Sequence, residues 1–364
     1  MGLKAYRITP RSGGGFHFGR EGLDQEVSAE SFPSDSLFAA IIVTALAFEE
    51  PDTAEAIFAP FLSPERTPKS VPFKLSSLFP RVGDLPLLPM PRVRVNLAAL
   101  EDRARGKTLK KIAYVSPGIL RHLLHEDVID SFLLSDTGDS DGLMLQDGKV
   151  WITRAERKLL PEGCRKLDAL DLYEWAIWKN DTVPRVTIDR ASNSSTIFQV
   201  GRTVFNEDCG LWLLADVNQH SEFLEDVLAI LGDEGLGGER SSGYGAFEVE
   251  PFEVPALPAP SQGDRVMTLS RYNPTERELA AGVLGGRASY ELVDVGGWLA
   301  SPGGPAQRRK RIRMIEAGSI LEAAHPIIGR VVDVRPEYDL PGAPDHPVYR
   351  SGLALLVGMP GGTG

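Results

Sequence analysis

At 364 residues, 42% hydrophobic and 24% charged, the chain is composed like an ordinary soluble globular protein, long enough for two or three domains. A net charge of −11 argues against a free-standing nucleic-acid binder. The longest apolar run, Leu37 to Phe48, is too short to span a bilayer, and the N-terminus has no cleavable apolar region, so the expectation is a cytoplasmic protein with no membrane contact.

Leu3 to Thr9 alternates apolar and polar residues, as a half-buried strand does. Gly13 to Gly15 then turns the chain into Phe16-His17-Phe18-Gly19, where an extended backbone points His17 away from both phenylalanines. A helix is predicted to start near Pro33-Ser34-Asp35-Ser36, with Ser34 or Asp35 capping its first free amides. Its body, Leu37 to Phe48, is apolar nearly all round and is expected inside the domain. The proline-rich stretch from Pro60 to Pro91 reads as extended or irregular connection.

Ala113 to Leu134 holds one helix over Pro117 to His125 and a second short one, and Leu170 to Trp178 is a further candidate element. Asp136 to Gly148 is acidic but places Thr137 and Gly148 where a calcium loop requires acids, so it reads as a solvated, mobile loop. Arg185 to Asp189 and Ile197 to Phe205 form a hairpin around the polar tip Arg190 to Ser195. A buried strand over Leu211 to Val217, a helix over Ser221 to Leu231 and a strand over Ala246 to Val249 follow.

Pro251 to Asp264 contains four prolines and no helix pattern, which marks a linker. It divides the chain into 1–250, the linker 251–264 and 265–364. Beyond it come a strand over Val266 to Ser270, a helix over Pro274 to Leu284, a strand over Ala288 to Val295, and two more over Ile327 to Val334 and Leu353 to Val357. This order suggests an α+β fold of two ferredoxin-like (RRM-like) domains, the first carrying the hairpin as a thumb and a glycine-rich loop.

No metal or cofactor is expected. Cys164 and Cys209 stand far apart in sequence and build neither a disulfide framework nor a thiolate site, and His122 and His125 lack the four-residue spacing of the zinc signature. Positive charge gathers at Arg103 to Lys111 and at Arg308 to Arg313, while acids dominate Glu21 to Glu30 and Glu222 to Glu239. Each basic run is either a local RNA contact or simply a solvated face.

The densest signal is Gly232 to Gly245, in which six of fourteen residues are glycine. Such a loop, between a helix and a strand, can approach another backbone closely and present amides to phosphates, with Arg240, Ser241 and Ser242 as further donors. It fits neither a Walker A loop, since Gly238 does not lead to Gly-Lys-Ser/Thr, nor a dinucleotide fingerprint, since the sixth residue from Gly235 is Arg240. A helix C-cap with a tight turn explains only part of it.

Three segments together resemble RAMP-superfamily CRISPR proteins: Ser34-Asp-Ser-Leu-Phe38, Arg185-Val-Thr-Ile-Asp-Arg190 with Asn193, and Gly237-Gly-Glu-Arg-Ser-Ser-Gly-Tyr-Gly245. Their order and spacing are similar to those of the type III-A (Csm) subunit that caps the 5′ end of the guide RNA. The resemblance implies a non-catalytic RNA-binding subunit that holds the 5′ handle of crRNA. Its implied partners are the large polymerase-like Csm subunit and the Csm backbone subunit.

Carried onto this chain, the resemblance makes the loop a handle clamp: Gly235, Gly237, Gly238, Gly243 and Gly245 permit close approach, Arg240 pairs with phosphate, and Ser241 and Ser242 donate. Tyr244 either stacks on a base or packs inward beside Phe247. The thumb would use Arg185, Arg190, Asn193 and Phe198. Ser34, Asp35 and Ser36 cap the helix and offer amides to a phosphate. His17 is either an RNA contact or an ordinary surface histidine. Three rival readings stay open: a metal-independent RAMP endonuclease built on His17 with Tyr6 or Tyr244, the equivalent type III-B (Cmr) capping subunit, and an unrelated interaction protein.

Overall fold

The computed structural model describes residues 2–11, 14–19, 27–63, 65–97, 106–129, 131–134, 140–188, 195–218, 220–261, 263–299, 307–323, 326–336 and 346–359. Arg190, Asn193, Asp189 and the basic residues Arg103 and Arg105 lie outside these residues.

A six-stranded antiparallel sheet organises the molecule. Its order is Phe247–Pro251, Gly2–Pro10, Cys209–Val217, Phe79–Val82 and Leu85–Pro86, with Phe73–Leu75 also paired to Cys209–Val217. Helix Ser34–Phe48 follows the first strand and helix Ser221–Glu234 follows Cys209–Val217. Both lie on one face, where Leu37, Phe38, Ile41, Leu224, Leu228 and Leu231 meet Tyr6, Ile8, Leu211 and Leu213 of the sheet. On the opposite face Trp212 and Leu214 join a larger core with residues from 79 to 178 and from the C-terminal region. Cys209–Val217 is therefore covered on both faces, which is why Leu211 to Ala215 is a continuous apolar run rather than an alternation. Fully burying each such side chain contributes about 1.5–3 kcal/mol.

Several sequence expectations change. The proline-rich stretch from 60 to 91 is not mere connection: it supplies the buried strands Phe73–Leu75 and Phe79–Val82, and helix Pro51–Leu62 runs into its start. Pro80 sits at a point where its carbonyl accepts from Leu87, so its missing N–H costs the ladder little. The segment read as a mobile acidic loop contains the fully buried strand Gly142–Leu145, paired with Val150–Thr153; its acids mask a four-residue apolar core. The first helix is not enclosed all round, since Val43, Leu46 and Phe48 are exposed. Packing against one sheet covers one side of a helix whatever its composition.

Among the described residues between Pro251 and Arg265 there is neither helix nor strand, yet Phe252 is buried and Val254 and Leu257 pack on the larger core. Arg265–Thr268 then lies between Ile320–Glu322 and Leu356–Met359. Three antiparallel pairs complete the region: Leu292–Val295 with Ile312–Ile315, Trp298–Leu299 with Gln307–Arg308, and Gly329–Asp333 with Tyr349–Leu353. Met267, Leu269, Leu355 and Val357 enter the same core as Trp212, so the two regions share an interior. Among the described residues no helix is long and apolar enough to cross a membrane.

Candidate functional site

The strands Trp178–Ile188 and Ser195–Phe205 pair over eleven residues each, a ribbon about 35 Å long at the usual rise. Its base is fixed by Thr203, which is fully buried and exchanges backbone hydrogen bonds with Phe16 at 2.9 and 2.8 Å. The Thr203 hydroxyl, with one proton to give, lies 2.9 Å from both Ser28 Oγ and the Ala29 carbonyl. The distal part carries Val186, Ile188 and Ile197 exposed.

Segment 14–19 lies between this base and the glycine loop. Phe16 and Phe18 stack on each other in the core, with ring centroids 4.7 Å apart, and His17 between them turns the other way, as alternation requires. His17 Nδ1 is 2.6 Å from the Gly201 carbonyl of the hairpin, and the His17 carbonyl accepts from Gly238 at 2.9 Å. Gly245 donates to the Gly15 carbonyl at 2.8 Å. Thus the structure brings His17, the hairpin base and the glycine loop into one surface.

The glycines serve the protein's own packing. A Cβ on Gly237 would stand 2.6 Å from the His17 carbonyl, on Gly245 2.3 Å from that of Leu236, and on Gly235 2.9 Å from that of Tyr244. Gly238 is not in the left-handed region; a Cβ there meets the His17 ring at 2.7 Å. Gly243 alone among them combines a φ of +87° with open space within 4 Å. The expected cradle of free amides is corrected as well. The amides of Gly235, Leu236, Gly238, Ser242, Gly243 and Gly245 all donate to carbonyls of the chain itself. A buried loop satisfies its own backbone before it can serve a ligand.

What the loop does present is a turn. Glu239 takes a left-handed φ of 57°, and Arg240–Ser242 form one turn of 3-10 helix ending at Gly243. Arg240, Ser241, Ser242 and Gly243 are exposed. Ser242 Oγ donates to Glu239 Oε2 at 3.1 Å, whereas Arg240 has no ion-pair partner among the described residues.

Tyr244 packs inward at 5% exposure, and the Arg185 guanidinium of the hairpin lies 5.3 Å from its ring centre. Of its two readings, inward packing is the one the structure has, and base stacking falls: one ring face is taken by Arg185 and the rest is enclosed. Arg185 is directly opposite Phe198 across the hairpin, so both side chains share the face turned toward Tyr244. Phe198 stays half-buried.

Ser34, Asp35 and Ser36 are not caps. Pro33 occupies the cap position, which makes no side-chain hydrogen bond to the free amides. Ser34 N–H donates to Ser77 Oγ at 3.1 Å, and Ser34 Oγ accepts from Arg271 at 2.8 Å. Asp35 is fully buried and pairs with Arg271 at 3.1 Å, while Arg271 also binds Glu316 at 2.9 Å. Burial lowers the Arg271 affinity for its proton, but the two carboxylates outweigh it and hold the pKa above the usual arginine value. These residues join the first helix to the C-terminal region, and only Ser36 borders open space. Sequence reading missed Thr203, Gly201 and Arg271, because nothing local to them signals a partner some 180 to 240 residues away.

Other chemistry is sparse. Tyr6 is buried and donates to Glu225 at 3.0 Å; burial and that carboxylate push its pKa well up. His122 bonds Asp127 at 2.8 Å and His125 bonds the Arg121 carbonyl at 2.8 Å. No group of metal-binding side chains occurs among the described residues.

Comparison with known proteins agrees with this architecture. Residues 261–359 match the CRISPR Csm4 C-terminal domain. The chain is 29% identical to the "CRISPR system Cms protein Csm4" of Mycobacterium tuberculosis (strain CDC 1551 / Oshkosh), over 94% of both chains. The Methanocaldococcus jannaschii protein of the same name is 24% identical, over 98% of this chain and 97% of the other. In structure, the chain is similar to one from the crystal structure of a Csm3-Csm4 subcomplex in the type III-A CRISPR-Cas interference complex, with a TM-score of 0.62 at 19% identity, covering 97% and 98%. A chain from a Csm1-Csm4 cassette in complex with pppApA superposes with a TM-score of 0.52 at 18% identity, over 98% of each. An end-to-end likeness in sequence, a matching C-terminal domain and a shared fold make this chain similar throughout to the CRISPR Csm4 proteins.

Proposed function

We propose that the chain is a non-catalytic subunit of a type III effector complex, type III-A by its relatives, that holds the 5′ handle of crRNA. The observation that carries this reading is the meeting of His17, the hairpin base and the glycine loop, with the Arg240–Ser242 turn and open Gly243 at its rim. Arg240 meets a phosphate, a charge-assisted contact, and Ser241 adds a hydroxyl donor. The hairpin stands beside this surface as a thumb, with Val186, Ile188 and Ile197 exposed to meet nucleotides.

The fold reading supports it. Strand, helix, two strands, helix, strand, with the last strand next to the first, is the order of a ferredoxin-like unit, a frequent RNA-binding scaffold. The Csm3-Csm4 and Csm1-Csm4 assemblies of similar chains supply the partners: a backbone subunit and the large subunit. With a net charge of −11, the isolated chain attracts RNA weakly, and partner surfaces complete the positive channel.

The test is co-expression of the full chain, its partners and a repeat-spacer transcript, followed by sequencing of the retained RNA. Fragments sharing one repeat-derived 5′ end are expected. Retained RNA with random ends, or none, would overturn the reading, and specific His17-dependent scission of repeat RNA in EDTA would replace it with the endonuclease.

A further inference from the structure

The basic run from Arg308 to Arg313 has no role in the surface above, yet its Arg308, Arg309 and Arg311 line a cleft of about 990 Å³. Pro33 and Ser36 at the start of the first helix, and Phe18 and Gly19, line the same cleft. Segment 17–19 therefore borders both places: His17 touches the glycine loop and its next two residues line the cleft. A strand leaving the loop along this segment enters the cleft.

The lining suits a nucleotide. It carries four arginines, Arg271, Arg308, Arg309 and Arg311, against two carboxylates, Asp294 and Glu316. Arg271 is neutralised by Asp35 and Glu316, and Arg309 is held by the Gly296 carbonyl. Arg311 is exposed and has no ion-pair partner among the described residues, which leaves it for a phosphate. Trp298 is 61% exposed at the cleft rim, an unusual cost for the largest apolar side chain. The Arg308 guanidinium lies over its ring, 5.0 Å from the centre. An indole with a cation on one face leaves the other for a base, the arrangement by which single strands are held without sequence readout.

We propose that this cleft binds a second nucleotide of the same RNA strand, its base on Trp298 and its phosphate on Arg311. The inference rests on the RNA-binding reading above and gives the C-terminal basic run its role. Trp298 and Arg311 are exposed, so replacing them leaves the fold intact.

The experiment uses the assembled, RNA-free complex and two 5′-handle oligonucleotides, one long enough only for the loop surface and one extended by several nucleotides. Trp298→Ala and Arg311→Ala are each expected to weaken the longer RNA about tenfold, within the range for one stacked base or one charged contact, and to leave the shorter one unchanged. Arg240→Ala weakens both. Ultraviolet cross-linking of the loaded complex places a nucleotide adduct on Trp298, and millimolar AMP does not displace the RNA. Equal affinity of wild type and both cleft variants for the longer RNA, with Arg240→Ala still impaired, overturns the cleft proposal alone. So do cross-links from Trp298 to a protein partner, or a cleft that takes free AMP and no RNA. If the wild-type complex binds neither oligonucleotide, the RNA-binding reading falls as well.

Discussion

The carbonyl of His17 accepts the Gly238 amide at 2.9 Å, and the His17 ring stands 2.7 Å from where a Gly238 side chain would begin. That single contact ties the loop to segment 14–19, and the Nδ1 bond of the same ring ties the segment to the hairpin. Gly238→Val is expected to push the ring aside, break the bond to Gly201 and lower RNA affinity at least tenfold. His17→Ala in the same background makes the room, so the double variant should recover part of the loss. A competition binding assay on the assembled complex reads this; no difference between the single and double variants would separate the two residues.

Arg240→Ala should leave thermal unfolding unchanged and weaken handle binding by roughly 10- to 100-fold, the worth of one charge-assisted contact of about 1.5–3 kcal/mol. Its side chain is exposed and has no ion-pair partner among the described residues, so nothing in the fold depends on it. Calorimetry beside a filter-binding titration separates the two effects. An unchanged affinity removes Arg240 from the site.

Asp35→Ala should act in the opposite way. The carboxylate is fully buried against Arg271 and Arg350, and removing it strands positive charge between the first helix and the C-terminal region. Loss of one partner of a buried pair typically costs about 3–5 kcal/mol. A marked drop in unfolding temperature is expected, with RNA affinity lost only in proportion to unfolded protein. Reduced affinity at an unchanged unfolding temperature would restore Asp35 to the RNA surface.

Burial pushes the Cys164 thiol up to about 11 and that of Cys209 up to about 12. At pH 8 both are expected to resist iodoacetamide in the native protein and to react promptly in denaturant, since the thiolate is the nucleophile. The sign of the stability effect follows. The native state holds these thiols protonated, so their contribution is complete below the ordinary thiol pKa near 8.5 and declines as pH rises toward 11. Unfolding temperatures at pH 7.5 and 10 check it; fast native labelling of either cysteine would contradict the burial.

Local pattern in the sequence was enough for the elements whose period is clean. Leu3 to Thr9, the described residues of the two hairpin strands, Leu211 to Val217 and the helix from Ser221 all lie inside elements of the structure, because alternation and the helical period are set by the backbone itself. The glycine density of 232–245 also announced a special loop. What the glycines were for was decided only by the fold. Their missing side chains make room for the carbonyls of His17, Leu236 and Tyr244, not for a bare row of amides, since a buried backbone must first pair with itself. Long-range partners were equally invisible. Ser34 and Asp35 read locally as a helix cap, yet Arg271, more than 230 residues on, claims both, Ser34 through its backbone amide and Asp35 through a buried charge pair, and no local period encodes either. The basic run and Trp298 were legible as residues; that Arg308, Arg309, Arg311 and Trp298 line one cleft with the start of the first helix is a property of tertiary packing, which alone brings distant segments within reach of a common ligand.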